Sequence, residues 1–279
     1  MDSPTAIWLD GRPGAALPLP DRGLDFGDGL FETVLLRHGV PLYLEYHLAR
    51  LAAGLQRLGF PDCITQVRYC LQQACTDIAS RGWLACSLRL TVTRGEGPRG
   101  YTPPEPASPR ILVSATHLER DCTAALAPAR LTVSSVRWST QPLLAGLKHL
   151  NRLEQVLASA ETRRCEVDES VMLDQDGGVI SVVAGNIFIV ANGLLRTPPL
   201  HNCGIAGTRR QLVLQRWAPA IGLAVEEAEL DLADLAAADE VFITNSLFAL
   251  RPVACVDETR WTNYRICSAL FQRFQEDIA

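Results

Sequence analysis

The sequence has no apolar run approaching the roughly 18 residues that a membrane-spanning helix needs, so no membrane span is expected. The first residues, Met1 to Thr5, lack a basic region followed by an apolar one, and no signal peptide is expected. The nine cysteines contain no CxxC pair and are odd in number. A disulfide scaffold and a structural zinc site are therefore disfavoured, and a reducing cytoplasm fits best. The five histidines form no pair at metal-ligand spacing, so no metal site is expected. A formal charge of −5 gives no support for general nucleic-acid binding. Internal repeats, low-complexity tracts and long charge runs are absent.

What is present reads as an ordinary folded chain. Its 279 residues suit one large or two modest domains with ample core. Ala6 to Leu9 predicts a short strand with a turn at Asp10-Gly11. The glycine-dense run Phe26-Gly27-Asp28-Gly29 either lets backbone pass close to something or supplies turns. Phe31 to Arg37 reads as a strand, His38-Gly39 as a turn and Val40 to Tyr43 as a return strand. Leu44, Leu48, Leu51, Leu55 and Leu58 recur at helical spacing and define one face of a helix. Asp62 is placed to cap a second helix running to about Ala79. Ser87 to Thr93 and Ile111 to Ala115 are strands. Between them lie a loop with Arg94, Arg99 and Tyr101 and the proline-rich stretch 102–109.

Residues 118–128 lack a clear period and mark the best domain boundary. Beyond them Arg130 to Val136, Ser170 to Leu173, Val179 to Val183, Asn186 to Val190, Leu223 to Glu227 and Glu240 to Thr244 read as strands. Asn151 to Arg164 reads as a helix with Leu153, Val156, Leu157 and Ala160 inward. Gly204 to Arg210 leads into a helix ending near Trp217, whose first N–H groups could hold an anion or could simply follow a glycine-rich loop. Trp261 to Glu276 predicts a terminal helix. Strands outnumber helices without regular βαβ alternation, which predicts an α+β chain.

One stretch carries chemistry of its own. Lys148 sits among Leu144, Leu147 and Leu150. Burying an ammonium ion is costly, and desolvation exposes an amine lone pair for Schiff-base formation. The competing reading is a surface lysine whose stem packs on leucines while its head reaches water.

Seven segments occur in an order that resembles the class IV (fold type IV) pyridoxal-phosphate enzymes. They are Asp21-Arg22-Gly23 with Phe26-Gly27-Asp28-Gly29-Leu30-Phe31-Glu32-Thr33; His47-Leu48-Ala49-Arg50-Leu51; Thr93-Arg94-Gly95; Lys148; Asp168-Glu169; Asn186-Ile187-Phe188; and Gly207-Thr208-Arg209-Arg210. The likeness covers nearly the whole chain. It implies a two-domain class IV aminotransferase-like fold, with a smaller N-terminal α/β domain (1–117), a linker (118–128) and a larger strand-rich C-terminal domain (129–279) carrying the lysine. Gly146-Leu147-Lys148-His149-Leu150-Asn151-Arg152-Leu153-Glu154 and Arg99-Gly100-Tyr101 are most similar to the aminodeoxychorismate lyase branch.

The resemblance also implies roles. Lys148 would hold pyridoxal phosphate as a Schiff base and then act as the proton-transfer base. Arg50 would pair with the cofactor phosphate, with the backbone amides of Thr208 and Arg209 and the hydroxyl of Ser246 completing the cup. Arg99 and Tyr101 would help hold a substrate carboxylate, often across a dimer interface, so a homodimer is implied. Thr33 would protonate departing enolpyruvate, the alternative being a threonine chosen for strand propensity.

One position departs from the pattern. Most of the family has a glutamate five residues before Asn186, where its carboxylate keeps the pyridine nitrogen protonated; this chain has Ser181. A neutral hydroxyl makes the ring a weaker electron sink. Elimination of pyruvate from 4-amino-4-deoxychorismate, driven by aromatisation, would tolerate that better than transamination. A D-amino acid or branched-chain aminotransferase is the alternative, and a non-catalytic member of the fold the second.

Overall fold

The computed structural model describes residues 5–279. Residues 1–4, on which the absence of a signal peptide was largely read, lie outside the described residues. The chain divides into two compact units: the residues up to Cys122 together with Leu147–Asn151, and Thr123–Gly146 together with Arg152–Ala279.

The first unit runs β1 (Thr5–Leu9), β2 (Arg12–Pro13), α1 (Arg22–Phe26), β3 (Gly29–Arg37), β4 (Val40–Pro41), α2 (Leu44–Arg57), α3 (Ile64–Ser80), β5 (Ala85–Thr93) and β6 (Arg110–His117). Its six strands form one antiparallel sheet in the order β2-β1-β6-β5-β3-β4. Val34, Leu35 and Leu36 of β3 are fully buried. Of the leucine face expected on α2, Leu48, Leu51 and Leu55 are buried, and the helix packs on β3. Asp62, expected as the cap of α3, lies one residue too early: Cys63 holds the cap position without a side-chain bond, and Asp62 accepts only the Ile64 N–H at 3.0 Å. The return strand is shorter than expected. It stops at Pro41, which has no N–H for a ladder, and Tyr43 takes a left-handed φ of 54° before α2 begins.

The sequence assigns Lys148 to the C-terminal domain, yet its backbone belongs with the first unit. The Phe31 N–H donates to the Lys148 carbonyl at 2.8 Å, and the Leu150 N–H to that of Gly29 at 3.0 Å. A Cβ on Gly29 would lie 2.8 Å from Leu150 Cδ1 and 2.5 Å from the Val92 carbonyl oxygen. Part of the glycine density at 27–29 is thus explained: segment 147–151 passes against it.

The second unit runs β7 (Ala129–Arg137), α4 (Leu153–Arg164), β8 (Glu169–Leu173), β9 (Val179–Val182), β10 (Asn186–Ala191), β11 (Leu194–Thr197), α5 (Thr208–Leu212), a π-helical turn (Val213–Trp217), α6 (Ala218–Ala220), β12 (Val225–Glu227), α7 (Leu232–Ala237), β13 (Glu240–Asn245), β14 (Ala249–Val256), β15 (Thr259–Arg260) and α8 (Arg265–Asp277). Its nine-stranded sheet has the order β12-β11-β10-β13-β14-β7-β8-β9, with β15 on β14. The pairs β11/β12, β14/β7 and β7/β8 are parallel. Ile187, Val241, Ile243 and Val253 sit at the centre of its core. With mixed pairing in one sheet and antiparallel pairing in the other, the chain is α+β, as its sequence predicts.

Two helices differ from expectation. On α4 the apolar face points outward: Leu153, Val156 and Leu157 are 77%, 60% and 58% exposed, and Ala160 is exposed too. The inward contacts come from the small residues Ala158 and Thr162, the latter bonded to Ser170 on β8 at 2.6 Å. The terminal helix starts at Arg265 rather than Trp261. The Trp261 indole is buried and donates to the Ala238 carbonyl, while Glu240 accepts the Ile266 and Cys267 N–H groups at the helix start. All nine cysteines are free thiols. Among the described residues, no helix is long and apolar enough to cross a membrane.

Candidate active site

In the first unit the candidates fall on two faces of β3. Alternation sends Phe31 and Thr33 to one face and Glu32 to the other. The Lys148 ammonium lies 4.4 Å from the centre of the Phe31 ring. The guanidinium carbon of Arg89, from the residue paired with Thr33 on β5, lies 3.9 Å from the same ring. An amine, a hydroxyl and a guanidinium thus share one face. Lys148 is the only lysine among the chain's 26 Lys and Arg residues, a compositional signal that already marks it.

On the opposite face Glu32, 1% exposed, accepts hydrogen bonds from Arg50 Nε at 2.8 Å, from Arg50 Nη2 and from His47 Nδ1 at 2.6 Å. Burial pushes the Glu32 carboxyl up, but the Arg50 charge and the bonds from His47 and Arg50 outweigh it and hold the group at about 2. Arg50, the residue expected at a phosphate, is therefore fixed by a carboxylate using two of its five donors.

Arg99 and Tyr101 lie on the loop between β5 and β6. Arg22 holds that loop, donating to the Gly100 carbonyl at 3.0 Å and to that of Tyr101 at 2.9 Å. Its Nε bonds Asp28 at 2.9 Å and its guanidinium stacks on Phe26, whose ring lies 5.5 Å from that of Tyr101. Arg99 lines a cavity of about 210 Å³ with Arg22 and Phe26. The Tyr101 side chain is 86% exposed.

In the second unit Thr208 opens α5, and its hydroxyl lies 3.4 Å from that of Ser246, just beyond β13. Arg209 Nη2 donates to the Ser246 carbonyl at 3.1 Å, tying the two segments together. Gly207 is needed for this approach, since a Cβ there would lie 2.0 Å from Asn186 Oδ1. Asn186 Nδ2 in turn donates to the Ile205 carbonyl at 2.9 Å. Two hydroxyls and the first amides of a helix make a donor set suited to an anion. Ser181, on β9, is buried and accepts a hydrogen bond from the Trp138 indole at 3.0 Å. Burial raises Glu169, at the start of β8, to about 7, against hydrogen bonds from backbone N–H groups that include Ala184 at 3.4 Å.

Sequence reading quoted Arg22, Glu32 and His47 only within family segments and gave them no role, and it did not single out Arg89 or Trp138. Glu32 gave a signal: an acid inside an apolar strand. Trp138 gave none.

A family model described as amino-transferase class IV matches residues 29–256. The chain is 34% identical over 251 residues to an aminodeoxychorismate lyase of Vibrio harveyi, covering 89% of this chain and 90% of that protein. It is 33% identical over 259 residues to a putative branched-chain-amino-acid aminotransferase of Methanocaldococcus jannaschii, covering 90% and 88%. Among solved structures, the 4-amino-4-deoxychorismate lyase from Pseudomonas aeruginosa superposes with a TM-score of 0.88 at 42% identity, covering 98% of this chain and 99% of that one.

Proposed function

The chain belongs to the class IV amino-transferase family, and we propose that within it this protein is a 4-amino-4-deoxychorismate lyase that uses pyridoxal phosphate to release pyruvate and form 4-aminobenzoate for folate synthesis. The observation that carries the reading is the shared face of Lys148 and Thr33 around Phe31. Taken singly, the donors suit the cofactor: Lys148 would take its aldehyde, Arg50 in the first unit and the Thr208 and Ser246 hydroxyls in the second are each suited to a phosphate, and the buried Ser181 hydroxyl would suit a ring nitrogen. Bound through its aldehyde, pyridoxal phosphate supplies an electron sink beside the carbon that bears the substrate amine.

The remaining steps belong to the side chains. Lys148 Nζ would take the proton from the carbon that bears the substrate amine. The adjacent carbon–oxygen bond would break, and Thr33 Oγ1 would pass a proton to the departing enolpyruvate while regaining one from the Lys148 ammonium, which holds the proton taken from the substrate. Arg89, stacked on the same ring as Lys148, pairs with a substrate carboxylate, and Arg99 and Tyr101 hold a second one. The exposed Leu153, Val156 and Leu157 of α4 support a homodimer, because a monomer rarely leaves such a patch in water. Nine free thiols fit a reducing cytoplasm.

The test is incubation with 4-amino-4-deoxychorismate while 4-aminobenzoate fluorescence is followed. Product formation supports the reading. Activity with D-alanine and 2-oxoglutarate, and none in the fluorescence assay, makes the chain an aminotransferase instead.

A further inference from the structure

In the second unit α5, the π-helical turn Val213–Trp217 and α6 follow one another without a break and form one helical rod from Thr208 to Ala220. Its hydrogen bonds change register on the way. The Val213 N–H donates to the Arg209 carbonyl, four residues back, as in an α-helix. The Ala218 N–H donates to the Val213 carbonyl, five residues back. Pro219 comes next. It has no N–H for the Gln215 carbonyl, and in an α-helical register its ring would crowd that oxygen. A wider turn relieves the conflict. Such single π-turns are rare and often accompany functional sites.

Both ends of the rod are held. At the front, a Cβ on Gly207 would lie 2.0 Å from Asn186 Oδ1, Arg209 Nη2 donates to the Ser246 carbonyl at 3.1 Å, and Arg210 Nη2 donates to the Pro198 carbonyl at 2.9 Å. At the back, each carboxylate oxygen of Asp277, the last residue of α8, accepts one bond: from Trp217 Nε1 at 2.9 Å and from Arg216 Nη2 at 3.1 Å. The buried Trp217 ring meets Phe274 of α8 edge-on at 6.1 Å. Arg216 and Trp217 are the last two residues of the wide turn, so the carboxylate grips the rod where the extra residue is absorbed.

We propose that Asp277 is a positioning residue: by pinning the π-helical turn it sets the register of α5 and holds Thr208 against Ser246 for a phosphate monoester. The inference rests on the reading that these two hydroxyls receive the cofactor phosphate. Were the turn to tighten to α-helical bonding, α5 would move relative to Trp217 by about 100° and 1.5 Å, the step of one helical residue. Thr208 would then leave the Ser246 hydroxyl, which it now approaches to 3.4 Å. The effect falls on the phosphate alone, because the aldehyde is assigned to Lys148, which belongs to the first unit.

The test compares two probes on the full chain: pyridoxal phosphate, and pyridoxal, which has the same aldehyde and no phosphate. Affinities are read from the absorbance change as each is titrated. The wild-type chain should prefer pyridoxal phosphate. Asp277→Ala should weaken pyridoxal phosphate about threefold to tenfold, the equivalent of roughly one hydrogen bond, and leave pyridoxal unchanged. Equal weakening of both probes marks a general loosening of the fold and overturns the proposal, as does no weakening of either. Should Asp277→Ala fail to fold, Asp277→Asn decides. It keeps an acceptor for the indole but gives up the charge facing Arg216, so the preference for pyridoxal phosphate should fall by about threefold; an unchanged preference overturns the proposal. A wild-type chain that binds both probes alike sinks the phosphate reading and the role of Asp277 with it. A wild-type preference that survives in the Asp277 variants sinks that role alone.

Discussion

Both carboxylate oxygens of Glu32 accept hydrogen bonds from the Arg50 guanidinium. The pair is buried, and His47 completes it. Its cost in desolvation is offset by charge and hydrogen bonding, as the depressed Glu32 carboxyl records. A guanidinium held at a fixed angle would be pre-organised for the phosphate proposed for Arg50.

That arrangement sets a pH dependence. A carboxyl held at about 2 in the folded chain, against an ordinary value of 4.5, stabilises the fold fully above about pH 4.5. The stabilisation is lost as pH falls toward 2. Glu32→Gln should therefore lower unfolding free energy by about 3 kcal/mol at pH 7, with the deficit shrinking below pH 4. Urea unfolding at pH 7, 4 and 3 checks it, and a deficit that does not change with pH contradicts it.

Glu169 should behave in the opposite sense. Burial raises it to about 7, so the folded chain holds its proton where the unfolded chain, near 4.5, has lost it. The fold is then penalised progressively from about pH 4.5 to 7 and by a constant amount above. Glu169→Gln should stabilise the protein by about 1–3 kcal/mol at pH 8 and change nothing at pH 4. Thermal unfolding at the two pH values is the measurement, and a variant less stable at pH 8 refutes the assignment.

Arg22 joins the carbonyls of Gly100 and Tyr101 to Asp28. Arg22→Ala should free the loop that carries Arg99 and Tyr101. KM for the substrate should rise about tenfold, the loss of one to two charge-assisted hydrogen bonds, with kcat within about twofold. Hydrogen exchange at residues 99–101 should quicken. A fall in kcat at unchanged KM would instead place Arg22 in the chemistry.

The sequence shows some of this plainly and hides the rest for physical reasons. Leucines at helical spacing expose α2, because a helix packed on a sheet needs a continuous apolar stripe. On α4 the same cue misleads: Leu153, Val156 and Leu157 form a stripe, but it faces out, and the small residues Ala158 and Thr162 allow the close approach to the sheet. Strand β14 is hidden by Arg251-Pro252, which reads as a breaker. The lysine segment is legible as chemistry but not as topology, because its pairing with β3 is made by backbone atoms. Trp138 and Ser181 lie 43 residues apart, a separation at which no local pattern operates.

The central claim is covalent, and the composition makes it easy to test. Because Lys148 is the only lysine, the full chain incubated with pyridoxal phosphate, reduced with borohydride and digested should yield one pyridoxyl-modified peptide, carrying the group on Lys148. Lys148→Ala should yield none. No modified peptide from the wild-type chain, or equal modification of the Lys148→Ala variant at its terminal amine, contradicts the account.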